Sequence, residues 1–451
     1  MQPHIIHFPC VMNRISFLKC ALLLMLTGLA ACQSPQSIKT QALVANIVEQ
    51  DQSLRARQTQ QRNETDDFLS EHAAVMLALH QNPAFQAQLT ELDIAQADLQ
   101  LANQISNPSV FYAFGVVNKP YRYAIEFPLE ALLLRPLRLK QMQAQSQQTQ
   151  LQLMQTGFAL VRDTRAAYAQ AVVSQEKVIR LEEALRVNKT ITRLAKTREH
   201  LGDSSAQDSL IAENELLLVE RDLQSAKIEA GIAHTQLMHM LNHVDDKRQL
   251  SLSDALLPSC SAEDISQLKS ASIASRADVL AADAAIEAVR EKRRLNGLNW
   301  LAPAAIADAT SGQTNGHVLA PAIRFNLPIF NQNQAQVERV DAELVKALHE
   351  AEATKLKASL DIQVSHLKYQ RDCQEWQQLQ AALLPNSVKV IHDAETAYQN
   401  GEIAYLGVLE SSRKYLNLRL RETQLKADMI LSWSDLMRST SIPQNLTTNH
   451  H

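Results

Sequence analysis

Apolar and polar residues alternate in two short segments that lie about two hundred positions apart in the chain. In the first segment, Tyr121, Tyr123, Ile125 and Phe127 alternate with Arg122, Ala124 and Glu126. In the second segment, Ile323, Phe325 and Leu327 alternate with Arg324 and Asn326. Because successive side chains of a β-strand point to opposite faces, this period of two predicts two strands, each with an apolar and a charged face.

Each of these strands is preceded by a segment that can pair with it. Residues 109–117 and 121–127 are predicted to form two strands around a short turn at residues 118–120. In the second half, residues 304–310 form a weaker strand, because their side chains are small and include Asp308. Apolar residues outside and charged residues inside are typical of a lipid-facing barrel strand. An amphipathic hairpin packed on a soluble core has the same period and stays an alternative.

Very long segments without proline follow the strands and favour helices. From residue 137 to residue 257 there is no proline, and Gly202 lies near the middle. A single helix over residues 137–200 would be about 95 Å long at ~1.5 Å per residue. The predicted arms of two helical hairpins are residues 137–200, 210–241, 333–399 and 402–437. Pro385 is expected to kink the third arm or to change its packing.

Further helices and one helical seam are predicted from apolar residues at helical spacing. The helices cover residues 68–103 and 277–296, and Gly202-Asp203-Ser204 is expected to end one helix and cap the next. The seam lies in the last arm and comprises Leu406, Leu409, Leu416, Leu420, Ala427 and Ile430. Its three-four spacing indicates a coiled-coil contact.

The two halves of the chain repeat one another. From Pro128 to Gly202 is 74 positions, and from Pro328 to Gly401 is 73. Tyr168 and Tyr369 also fall at matching places in the two halves. A repeat of this size predicts two structural units, which we assign to residues 66–258 and 259–440.

Composition supports a helical architecture. The 451 residues include 10 Gly and 14 Pro, and aromatic residues make up 5%. Few helix breakers and few aromatic residues favour long helices over a compact enzyme core. The net charge of −4 gives no indication of a nucleic-acid partner.

The N-terminus has the pattern of an export signal. Arg14 and Lys19 precede a short apolar run, which ends in Leu29-Ala30-Ala31-Cys32. The run is too short to remain as a membrane span. The ending resembles a bacterial lipobox, so residues 1–31 are predicted to be a signal peptide and Cys32 the lipid-modified first residue. An ordinary cleaved signal with an incidental cysteine is the alternative. Residues 32–65 would then be an extended tether, and residues 441–451 a disordered tail.

Candidate chemistry is sparse. Cys260 and Cys373 are expected to be free thiols, although an oxidising compartment would permit a disulfide. His239 and His243 lie one helical turn apart, which makes a metal site conceivable. Without a carboxylate or thiolate partner, we expect ordinary packing or surface histidines, and neither a metal nor another cofactor. Neither a Ser-His-Asp order, nor a glycine-rich phosphate loop, nor a CxxC pair occurs, so no enzyme is predicted.

If the chain crosses a membrane, the predicted strands must do so. Apart from the signal, no run of 18 apolar residues occurs, and open strand edges cannot lie in lipid. Four strands are too few to close a barrel, whereas three copies would supply twelve. The pattern therefore favours a shared barrel in a homotrimer.

The chain resembles the TolC-like outer-membrane efflux proteins, in particular their lipid-anchored branch. The resemblance covers about residues 66–440. Its motifs are Asn107-Pro108, Phe325-Asn326-Leu327-Pro328-Ile329-Phe330-Asn331, and Tyr398-Gln399-Asn400-Gly401-Glu402-Ile403 followed by Leu406 and Leu409. The order, spacing and duplication of these motifs carry the resemblance together.

The resemblance implies a homotrimeric exit duct of a tripartite efflux or type I secretion system, which conducts substrates passively. A 12-stranded β-barrel in the outer membrane of a Gram-negative bacterium would continue as a coiled-coil α-barrel through the periplasm, where most of the lipid-anchored chain would lie. The implied partners are outer-membrane lipid, a periplasmic adaptor (a membrane fusion protein) and an inner-membrane pump.

The resemblance also assigns roles to residues. The periplasmic tips that would meet the adaptor are Leu201, Gly202, Asp203 and Ser204, with Asn400, Gly401, Glu402 and Ile403. The candidates for an acidic pore constriction are Asp203, Asp208 and Glu402. The residues expected to line the barrel lumen are Arg122, Glu126 and Arg324.

Two alternatives stay open. Each of the acidic residues could simply cap a helix or stabilise its dipole. The chain as a whole could be a periplasmic coiled-coil scaffold or adaptor lipoprotein without a pore. Two predicted hairpins and very little glycine favour the duct, because adaptors carry one hairpin between glycine- and valine-rich β-domains.

Overall fold

The computed structural model describes residues 40–56, 68–114, 122–243, 251–252, 257–260, 272–298, 303–312 and 316–440. The predicted signal peptide, Cys32 and the predicted C-terminal tail lie outside these ranges. Within them the chain is mainly helical and contains a four-stranded and a two-stranded sheet. This confirms the predicted fold class, mainly α with a small β part.

The elements follow one another in two similar series. The helices are α1 (Thr40–Ala56), α2 (Glu71–Gln81), α3 (Pro83–Asn103), α4 (Leu129–Leu133), α5 (Arg135–Leu201), α6 (Ala206–Met240), α7 (Ala277–Leu298), α8 (Gln334–Gln378), α9 (Leu384–Gln399) and α10 (Tyr405–Thr440). The strands are β1 (Phe68–Leu69), β2 (Ser109–Ala113), β3 (Arg122–Pro128), β4 (Ser251–Leu252), β5 (Ala304–Gly312) and β6 (Gly316–Arg324). Among the described helices, none is both long enough and apolar enough to span a lipid bilayer.

The first helical hairpin has the predicted length. Helix α5 contains 67 residues, which corresponds to roughly 100 Å. It ends at Gly202, whose φ of +80° satisfies the left-handed C-cap position that glycine adopts at little cost. Helix α6 then begins after Ser205, whose side chain accepts a hydrogen bond from the Asp208 amide. The predicted cap at Ser204 is therefore wrong by one residue.

The second hairpin contains the predicted irregularity. Helix α8 passes into a π-helical turn at Leu379–Leu383, and Pro385 follows in the first turn of α9. A proline lacks an amide hydrogen and displaces the carbonyl of the preceding turn, which the wider π turn accommodates. Gly401, with φ of +80°, forms the tip as Gly202 does in the first hairpin.

The long helices lie side by side. Helix α5 packs along α6, α7 and α10, and α10 packs in turn along α8 and α9. Away from the sheet, the order of the row is therefore α6, α5, α10 and α8 with its continuation α9, and nearer the sheet α8 also packs along α7. Helix α6 also reaches α10 through the ion pair between Glu215 and Arg413. Because α6 and α8 lie at opposite ends of this order, each chain has two different helical edges.

The four-stranded sheet is antiparallel, with the order β2–β3–β5–β6. It joins the strand pair of the first repeat to that of the second through the ladder between β3 and β5. Strand β6 ends at Arg324, so Phe325 and Leu327 lie beyond it, and the predicted strand over these residues is wrong. Strands β2 and β6 are the two outer strands of this sheet.

Three local predictions from the sequence are wrong. Helix α1 replaces part of the predicted extended tether, because Leu43, Val44 and Ile47 are buried in a core with α2, α3 and α5. The helix predicted over residues 68–103 is broken at Asn82, which caps α3 by accepting a hydrogen bond from the Phe85 amide. Within the predicted seam, Leu406 is exposed.

The expectation of two free thiols is also wrong. Cys260 and Cys373 form a disulfide, with their Cα atoms 5.7 Å apart. The cross-link joins the connecting segment, residues 253–276 between β4 and α7, to helix α8 and closes a separation of 113 residues. Cys373 is 8% exposed and belongs to an apolar cluster with Leu379 and Trp433.

Candidate functional site: the sheet face and the hairpin tips

One face of the four-stranded sheet carries the charges. Residues opposite one another in an antiparallel ladder share a face, and Ala124 lies opposite both Phe111 and Asp308. Arg122, two residues before Ala124, therefore shares this face with Asp308. The Arg122 Nη2 atom lies 2.6 Å from Asp308 Oδ2. Charges on neighbouring strands are thus paired across the sheet.

A second ion pair lies on the same face. Arg324 of β6 pairs with Glu126 of β3 across the intervening strand β5. The structure therefore brings together the three residues predicted to line a lumen: Arg122, Glu126 and Arg324. Asp308 completes this set and was not identified from the sequence. It shares a face with Ala304 and Ile306, and these apolar neighbours gave no indication that the face is the charged one.

The opposite face is apolar and exposed. Val110, Tyr112, Ile125 and Ile323 are between 48% and 72% exposed. A soluble protein rarely exposes such a continuous patch, and patches of this kind mark contacts with a membrane or with a partner. The predicted alternation of an apolar and a charged face is therefore present within the described strands.

The predicted tip residues form the ends of the two helical hairpins. Leu201 is 71% exposed, and Gly202 and Asp203 are exposed beside it. In the second hairpin, Gly401 and Glu402 are exposed. Asn400 is also exposed, and Ser204 and Ile403 are half-buried. The hairpin ends are thus accessible in the single chain.

An apolar cluster joins the two tips behind these exposed residues. It contains Ala195 and Ala212 of the first hairpin and Tyr398, Tyr405 and Val408 of the second. The Tyr398 and Tyr405 rings meet edge to face with centroids 6.1 Å apart. Burial raises the pKa of the Tyr405 phenol to about 12. The phenol is therefore neutral at physiological pH and acts as part of this core.

Arg198 connects the two tips and was not identified from the sequence. Its Nη1 atom donates a hydrogen bond to the Tyr398 carbonyl oxygen at 2.7 Å. Its guanidinium also lies 4.9 Å from the centre of the Tyr398 ring, within the range of a cation–π contact. A basic residue in the last turn of a helix was the available signal, but its partner lies two hundred residues away.

The three candidate acids differ in their surroundings. Asp203 and Glu402 are exposed at the turns, which suits a charged pore mouth. Asp208 is half-buried in the first turn of α6 and accepts a hydrogen bond from the Ser204 hydroxyl at 3.1 Å. A carboxylate there stabilises the positive end of the helix dipole. Asp208 therefore has the local role that was the alternative for all three acids.

The histidines do not converge on a metal-binding arrangement. In the part of the chain that the structure describes, no three His, Cys, Asp or Glu side chains are placed to hold a metal ion. His239 and His243 lie at the end of α6, where the His243 amide donates a hydrogen bond to the Met238 carbonyl.

Comparison with known proteins identifies the fold. No family model and no curated protein sequence matches the chain. The solved structure of the outer-membrane channel OprN matches with a TM-score of 0.69 at 17% identity, covering 82% of this chain and 89% of that one. The outer-membrane protein VceC from Vibrio cholerae matches with a TM-score of 0.68 at 14% identity, over 82% and 96% of the two chains.

A third solved structure gives the same result. The CmeC outer-membrane channel from Campylobacter jejuni matches with a TM-score of 0.69 at 14% identity, over 86% of this chain and 91% of that one. The duplicated strand pairs, the two long helical hairpins and these alignments agree over most of the chain. The chain therefore has the fold of the TolC-like outer-membrane efflux channels.

Proposed function

We propose that the chain is the outer-membrane exit duct of a tripartite efflux or type I secretion system. Three copies form one passive channel, and an inner-membrane pump supplies the energy. The chain is anchored by a lipid on Cys32, and the tips of its helical hairpins meet a periplasmic adaptor. The fold shared with known outer-membrane channels supports the location and the general role.

The observation that carries this proposal is the pair of unlike edges on each chain. At one end of the sheet lies β2, and at the other lies β6. The helical row likewise ends in α6 of the first repeat and α8 of the second. A contact between two different edges propagates from copy to copy and forms a closed ring when the rotation between neighbours returns to the first copy. Strand edges in a membrane require such closure, and three copies supply twelve strands.

The helical edges have the surface that this contact requires. On α8, Leu356 and Leu367 are 68% and 63% exposed. On α6, Leu217 and Ile228 are 62% and 58% exposed. Apolar residues repeated along one helix face are typical of a packed helix interface. The two edges therefore support a ring of identical chains.

Replacing Leu356 with glutamate is expected to disrupt the trimer while the chain stays folded. Three charged side chains, one from each chain, would be buried in the ring without partners, at roughly several kcal/mol each. Unboiled and boiled samples on a denaturing gel would show a heat-sensitive trimer for the parent and monomers for the variant. Lys357→Glu is the matched control, because Lys357 is exposed on the next residue of the same helix.

Conductance in planar bilayers separates the duct from the alternative scaffold. The parent protein should conduct ions as a trimer, and Leu356→Glu should not. A protein that is monomeric in detergent and silent in bilayers, with the lipid removed or retained, would refute the duct and favour a coiled-coil scaffold.

Replacing Asp308 with asparagine is expected to shift the ion selectivity of the channel towards anions. The substitution leaves Arg122 without its partner on the charged face, so each of three copies gains one positive charge near the lumen. The reversal potential in a potassium chloride gradient would report this shift. Asp308→Glu keeps the charge and should behave as the parent. Equal reversal potentials for all three proteins would show that this face does not line the pore.

A further inference from the structure

A buried tyrosine performs the same task in each repeat. The Tyr168 hydroxyl donates a hydrogen bond to the Leu69 carbonyl oxygen at 2.8 Å. The Tyr369 hydroxyl donates to the Ser259 carbonyl oxygen at 2.7 Å. Both rings are buried, and both tyrosines lie on the long helix that leaves the sheet. Each repeat therefore fastens a preceding segment of the chain onto its own long helix.

The segment that carries the accepting carbonyl is held by a second contact, and this contact differs between the repeats. In the first repeat, Leu69 also belongs to β1, which pairs with β4, and Ser70 caps α2. In the second repeat, residues 257–260 are not in a strand. Instead, Cys260 is bonded to Cys373. A covalent bond thus stands where the first repeat uses backbone hydrogen bonds.

Each of the two cysteines corresponds to a particular residue of the first repeat. Cys260 follows the carbonyl-bearing Ser259 directly, as Ser70 follows Leu69. Cys373 lies one helical turn after Tyr369, where the first repeat has Val172. The repeat geometry itself brings these positions together, and the Cα separation of 5.7 Å lies within the normal range for a disulfide.

The cross-link lies beside the irregular part of the second hairpin. Cys373 packs with Leu379, the first residue of the π turn, and with Trp433 of α10. In the first repeat, α5 continues as an unbroken helix past the corresponding position. The bond therefore fixes the connecting segment at the place where the second hairpin loses regular helical packing.

We propose that the Cys260–Cys373 disulfide is a permanent cross-link, introduced by a thiol-oxidising protein, which holds residues 257–260 of the connecting segment on the second hairpin. Two cysteine thiols lose two protons and two electrons as the sulfur–sulfur bond forms. The disulfide of the oxidising protein accepts these electrons and protons and becomes a dithiol. The inference rests on the proposed export, because the bond needs an oxidising compartment.

Burial indicates when the exchange takes place. Thiol–disulfide exchange needs access of a thiolate to a disulfide sulfur, whereas Cys373 is 8% exposed in the folded chain. The oxidising protein therefore reaches Cys373 before α10 covers it, whereas Cys260 is only half-buried in the folded chain and stays accessible to an added reductant.

The redox state tests the first part of this proposal. The full chain is purified from cells with and without their periplasmic thiol oxidase, denatured without reductant and treated with a polyethylene-glycol maleimide. We expect neither cysteine to be labelled in the first sample and both to be labelled in the second. Cys260→Ser and Cys373→Ser provide markers with one free thiol. Full labelling of both cysteines in the oxidase-containing cells would overturn the proposal.

Limited proteolysis tests the second part. Lys269 lies in the connecting segment, and we expect trypsin to cleave after it at least tenfold faster in the variant Cys260→Ser/Cys373→Ser. Reductant should produce the same increase in the parent and no change in the double variant. Equal cleavage of the oxidised parent and the double variant would show that the bond holds nothing. A chain that conducts no ions but contains the bond would refute the proposed function and leave this inference intact.

Discussion

Replacing Arg276 with methionine is expected to reduce the free energy of unfolding by roughly 3–5 kcal/mol. Arg276 is 1% exposed at the start of α7. Its Nη2 atom lies 2.6 Å from Asp278 Oδ2, and its Nη1 atom donates to the Ser439 carbonyl oxygen at 3.2 Å. Asp361 of α8 completes the cluster at 3.5 Å. One side chain thus ties together three helices of the second repeat.

The free energy of unfolding falls because the substitution removes the guanidinium and leaves the carboxylates that paired with it in place. After the loss of the guanidinium, the half-buried Asp278 has no cationic partner, and the half-buried Asp361 keeps only Arg438 at 3.8 Å. Urea unfolding followed by circular dichroism would measure the change. Arg290→Met is the matched control, because Arg290 pairs with Glu287 in an exposed position, and such pairs contribute at most about 1 kcal/mol. Equal midpoints for the two variants would contradict the assigned role of Arg276.

Lysine at both Asp203 and Glu402 is expected to impair export strongly while trimers and membrane location persist. Both carboxylates are exposed on the turns that end the hairpins. In a trimer the double substitution changes three acidic pairs into three basic ones at the proposed mouth, which reverses the local potential. Neither residue is buried, so little stability should be lost.

A matched charge change away from the tips separates this effect from net charge. Glu183 and Glu287 are exposed on α5 and α7, and lysines there alter the total charge equally. Cells carrying this control should keep their tolerance to a drug or metal that the system exports, whereas cells carrying the tip variant should lose it. Unchanged tolerance with the tip variant would count against the assignment of these turns as the mouth and the adaptor-docking site.

The local features of this fold could be predicted because each depends on a few neighbouring residues. The long helix α5 follows from the absence of proline, and the two tips follow from Gly202 and Gly401. The paired faces of β3 follow from a period of two. The break at Asn82 had a local signal as well, since an asparagine followed by Pro83 is a good helix start. The helical spacing of apolar residues over residues 68–103 outweighed this signal in the prediction.

The errors concern contacts between distant residues. The mainly polar composition around Leu43 and Ile47 predicts a tether. In the structure, however, these apolar residues are buried against α2, α3 and α5. Asp308 looks like a defect in a strand until the register places it opposite Ala124, on the same face as Arg122. The disulfide could not be inferred from two cysteines 113 residues apart, because the sequence does not show whether their Cα atoms come within bonding range.

The sequence by itself determined the long helices of the two hairpins, strand β3 with its two faces, and the two tips, since backbone hydrogen bonding and side-chain periodicity act over a few residues. The tertiary structure alone decided the partners of Arg198, Arg276 and Asp308 and the bond between Cys260 and Cys373. It also decided which helices and strands lie at the edges of each chain. These features depend on how the two repeats lie against each other, and that arrangement is set by packing over the full length of the hairpins.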